Sequence, residues 1–63
     1  MPGKNAKQQV QKVFSQLSDA KISLNQALST VEKPENKQQI QNTLNAVENA
    51  INTTSTALSN YKD

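Results

Sequence analysis

The sequence predicts an all-α protein, an antiparallel two-helix hairpin that pairs with a second copy into a four-helix bundle. Three observations point there. Apolar residues recur at helical spacing through most of the 63-residue chain. Pro34 interrupts the pattern near the middle. The apolar stripe then resumes in a different phase.

The turn comes first, because both arms are placed by it. Proline lacks the N–H that a helix interior needs, and it pushes the preceding residue out of the α region. It fits the first position of a new helix. Val31-Glu32-Lys33-Pro34-Glu35-Asn36 is therefore the corner of a hairpin, with the turn at 32–34. Residues 1–4 are expected to be a flexible N-terminus, and 1–63 to form a single domain.

Helix 1 is expected over about 6–31. Asn5 suits the N-cap, and Gln8 stands where a capping-box partner belongs. In heptads, position a holds Val10, Leu17, Leu24 and Val31. Position d holds Ala6, Val13, Ala20 and Ala27, while Phe14 and Leu28 widen the stripe at e. Helix 2 is expected over about 34–60, with Glu35 in its first turn to favour the helix dipole. Leu44, Ile51 and Leu58 fall at a, and Ile40, Val47, Thr54 and Tyr61 at d, with Ala50 and Ala57 beside them.

A single rod is excluded by phase. Carried past the proline, helix 1's a positions become Gln38, Asn45, Asn52 and Ser59, and its d positions Gln41, Glu48, Ser55 and Lys62, all of them polar. A hairpin lets the two stripes meet, and arms of roughly 40 Å each at 1.5 Å per residue match in length. Each stripe is wider than one partner helix covers, as in a bundle rather than a narrow coiled-coil seam. A chain this short buries only a thin core alone. The expected partner is a second copy, with Val10, Phe14, Leu17, Leu24, Leu28, Val31, Ile40, Leu44, Val47, Ile51, Leu58 and Tyr61 forming the core and interface.

Composition narrows the function. The net charge is +2, with +3 on residues 1–31 and −1 on 32–63. There is no Arg and the lysines are spread, which argues against nucleic acid. The eight Asn and eight Gln suggest a low-complexity tract, but the regular apolar spacing opposes it. No apolar run reaches ten residues, so neither a transmembrane helix nor a signal-peptide core is expected. A membrane-surface role is disfavoured because the polar faces carry amides rather than Lys and Arg. The chain has no His and no Cys, and its only Gly is Gly3. No catalytic base, metal set or phosphate loop can be assembled, so no enzyme, cofactor or metal is expected. Glu32 and Glu35 at the corner make a poor cation site. Asn52-Thr53-Thr54 matches a glycosylation sequon, which means little without a secretion signal.

Ile22 lies at position f, opposite the stripe. A lone surface hydrophobe is common there; the functional alternative is a partner contact. Tyr61 is placed to plug the open end of the bundle.

The run Gln9–Asn25, with Val10, Leu17, Ala20 and Leu24 in step, and the closing Tyr61-Lys62 pair resemble a family of short, uncharacterised, Gln-rich helical proteins of spore-forming bacteria. The resemblance implies a sporulation-linked role in the cytoplasm or spore interior and offers no active site. The function expected is non-enzymatic, by self-association and protein–protein interaction. The alternative is a small regulatory inhibitor, phage- or plasmid-borne, that docks a helix onto a partner protein.

Overall fold

In the computed structural model the chain folds into two helices, α1 (Pro2–Thr30) and α2 (Pro34–Ser59), joined by residues 31–33. The structure describes the backbone of residues 2–62 and the side chains of residues 6–62. Among the described residues there is no strand, and α1 packs along α2 as an all-α hairpin.

The corner follows from its proline. Lys33 is extended, with φ −83° and ψ 131°, as the residue before a proline must be, and Pro34 opens α2. The Lys33 side chain makes no cap; instead its carbonyl accepts the Lys37 N–H at 3.0 Å. On the other side, Val31 N–H still reaches the Ala27 carbonyl at 2.9 Å. Ser29 Oγ donates to the Gln26 carbonyl at 2.8 Å, and Thr30 Oγ1 sits 3.2 Å from that of Ala27. These hydroxyls add a second donor to carbonyls of the last turns of α1, that of Ala27 already accepting the Val31 N–H.

α1 starts earlier than the sequence suggests. It runs from Pro2, so Asn5 lies inside the helix rather than at its cap. Proline at the first helical position loses no bond, which lets the helix form without Asn5 as its boundary. Met1 and the Asn5 side chain lie outside the described residues. α1 ends at Thr30 and α2 at Ser59.

The asparagines and glutamines have a local role. Gln38 Nε2 donates to Asn42 Oδ1, and Gln41 Nε2 to Asn45 Oδ1, each at 3.0 Å and each four residues on. Such pairs support a helix whose packed face is narrow.

The hairpin measures 48 × 14 × 13 Å, one helix long, two helices wide and one layer thick. Its radius of gyration is 14.7 Å, against about 11 Å for a compact domain of this length. Its accessible surface is 4857 Å², against roughly 4000 Å² for a compact monomer of this mass. Among the described residues Leu44, at 5% exposure, is the only fully buried side chain.

Candidate interaction surface

The seam between the helices is where the apolar residues gather. On α1 the half-buried positions include Lys7, Val10, Phe14, Leu17, Ala20, Lys21, Leu24, Ala27 and Leu28, with Val31 just past the helix end. On α2 they include Ile40, Val47, Ala50, Ile51, Thr54 and Leu58 around the buried Leu44, with Tyr61 beyond the helix end. Phe14 and Leu28, expected to widen the stripe, are both half-buried. Val13 turns away from it and stays 45% exposed. The two residues are adjacent in sequence, so a rotation of one helical position decides which faces α2. Lys7 and Lys21 occupy the other positions in Phe14's row, where their methylene stems can lie along apolar surface with the ammonium in water.

The seam divides the hairpin into two faces. One carries the ion pair between α1 and α2. Lys21 Nζ stands 3.6 Å from Glu48 Oε2, with both side chains nearly half exposed. Asn49, Ile51 and Asn52 surround that pair in a shallow, open, mostly polar depression. An exposed pair of this kind contributes at most about 1 kcal/mol.

The opposite face holds a shallow groove lined by Ala6, Gln9, Val10, Val13 and Thr54. It arises from a mismatch in size. α1 brings valines here, while α2 answers with Thr54, flanked one turn before by Ala50 and one turn after by Ala57. Sequence reasoning placed Thr54 on the stripe but gave no sign that its small side chain opens a groove. The signal was present as the run of small residues Ala50, Thr54 and Ala57 in a helix otherwise built on Leu, Ile and Val.

Ile22 is 57% exposed. It lies away from both the seam and the groove. Among the described residues, no three or more His, Cys, Asp or Glu side chains come together to hold a metal ion. No helix is long and apolar enough to cross a membrane.

Two amphipathic helices, with Leu44 the one buried side chain among the described residues, place the chain in the class of small all-α hairpin proteins. Over residues 4–61 the chain matches the family described as type III secretion system, cytoplasmic E component of needle, and it belongs to that family. No curated protein and no solved structure matches the chain. The family match corrects the resemblance to Gln-rich proteins of spore-forming bacteria, and with it the sporulation-linked role. That likeness was carried by Val10, Leu17, Ala20 and Leu24, a spacing common to amphipathic helices in general.

Proposed function

We propose that this protein is a cytoplasmic component of needle assembly in a type III secretion system, acting without catalysis by packing its hairpin against protein. The observation that carries the proposal is the thinness of the core. Along a 48 Å hairpin, Leu44 alone among the described residues is buried. The other seam hydrophobes keep part of their surface wet, so the fold gains by association. The family's printed description supplies the setting. The first partner is a second copy, two hairpins making a four-helix bundle. Spread lysines and the absence of Arg favour protein over nucleic acid as partner. A contact with a different protein falls to Ile22, which is the most exposed large hydrophobe among the described residues and makes no use of the seam.

The test is genetic and biochemical together. Deleting the gene from a strain that carries the secretion system should abolish surface needles, with the protein itself fractionating with the cytosol. The wild-type gene should restore needles, and Leu44→Asp should not. Normal needle numbers in the deletion strain would overturn the proposal.

A further inference from the structure

Two large hydrophobic side chains stand out of the hairpin among the described residues, Val13 at 45% and Ile22 at 57% exposure. Both are on α1, nine residues apart. Nine residues are about two and a half helical turns, so the two side chains leave α1 on opposite sides. Their surroundings differ. The helical neighbours of Ile22 three and four positions away are Ser18, Asp19, Asn25 and Gln26, all polar. Val13 stands in the groove with Ala6, Gln9, Val10 and Thr54.

Beyond the groove, the rows that flank it carry no charge. Val13's row on α1 proceeds to Ala20 and Ala27, and the flank of α2 that bears Thr54 also bears Ala50 and Ala57. None of these is charged, whereas Lys21 and Glu48 are paired on the other face. We propose that this uncharged face is where a second copy of the chain docks, with the Lys21–Glu48 face left in water. The proposal rests on the self-association proposed above and names its surface.

Three properties favour a second copy as the occupant. A two-fold interface sets the same patch against itself, and an uncharged patch then meets no like charge across the axis. The cores of protein interfaces are depleted in charge, as this face is. The side of the hairpin, 48 by 14 Å, is a footprint of about 700 Å², close to the roughly 800 Å² per partner of a standard stable interface. Val13 then becomes a central contact, and Ile22 lies outside the dimer.

The experiment is sedimentation equilibrium over a concentration range on the wild type, Val13→Lys, Ala57→Lys and Ile22→Lys, with circular dichroism to confirm that each is helical. All three positions are exposed in the hairpin, so the fold should survive each change. Val13→Lys and Ala57→Lys should raise the dimer dissociation constant by at least about tenfold, because each buries an unpaired ammonium between copies. Ile22→Lys should leave it within about threefold. If Val13→Lys loses helicity, Ala57→Lys decides the matter from the other helix. A wild-type dimer that persists in both Val13→Lys and Ala57→Lys would overturn this face while leaving self-association standing. A wild type that stays monomeric throughout would overturn both.

Discussion

The two halves of the hairpin are made from similar α1 sequence and pack differently. Towards the turn, α1 presents Leu24, Ala27, Leu28 and Val31, and α2 answers with Ile40, Leu44 and Val47. That half contains the one fully buried side chain among the described residues. Towards the open end, α1 presents Val10, Val13, Phe14 and Leu17, an equally apolar set. There α2 offers Ile51, Thr54 and Leu58, with the small Ala50 and Ala57 on its flank, and Val13 remains 45% exposed beside a groove. Burial therefore depends on what stands across the seam, not on how apolar a helix is by itself. The turn half holds the buried side chain, and the open half leaves the groove uncovered.

The contrast can be broken most forcefully at Leu44. Leu44→Ala should destabilise the hairpin by about 2–5 kcal/mol, the range for a buried leucine in a site that collapses poorly. Urea unfolding followed by circular dichroism measures it. Val10→Ala, in the half-buried open end, should destabilise by only about 1 kcal/mol in the same assay. Equal losses at the two positions would erase the difference between the halves.

Filling the groove sharpens the comparison from the other side. Thr54→Leu adds apolar volume opposite Val10 and Val13. It should stabilise the isolated hairpin by about 1 kcal/mol, read as a higher melting temperature at low protein concentration. An unchanged or lower melting temperature would show that the open end is already filled by its own side chains.

The smallest effect belongs to the ion pair. A double-mutant cycle on Lys21→Ala and Glu48→Ala should give a coupling of about 0.2–1 kcal/mol, falling as salt is added. A coupling well above that range, insensitive to salt, would make the pair a structural anchor joining the halves.

The hairpin itself was legible in the chain, because the phase change at Pro34 leaves a straight rod with a polar second stripe. The corner was equally legible, since Pro34 dictates both the extended Lys33 and the start of α2. The start of α1 was not. Asn5 looks like a cap, yet Pro2 can open a helix just as well, and local sequence does not rank the two. Val13, placed at position d by the heptads, stays 45% exposed, while Phe14 beside it, placed at e, is half-buried. Ala20 and Ala27 of Val13's row are half-buried, as are Lys7 and Lys21 of Phe14's. The groove was hidden as well: a small residue on a stripe reads as core until its partner across the seam is known. Family membership was out of reach of such patterns, since amphipathic spacing is shared by helices of unrelated function.

The central claim is that the hairpin is completed by association rather than by its own core. Its most direct test is a series of thermal melts of the wild-type chain across a hundredfold range of concentration, each paired with a mass from sedimentation. A dimer mass with a melting temperature that climbs as concentration rises is the predicted result. A single-chain mass at every concentration, with one unchanging melting temperature, would contradict it.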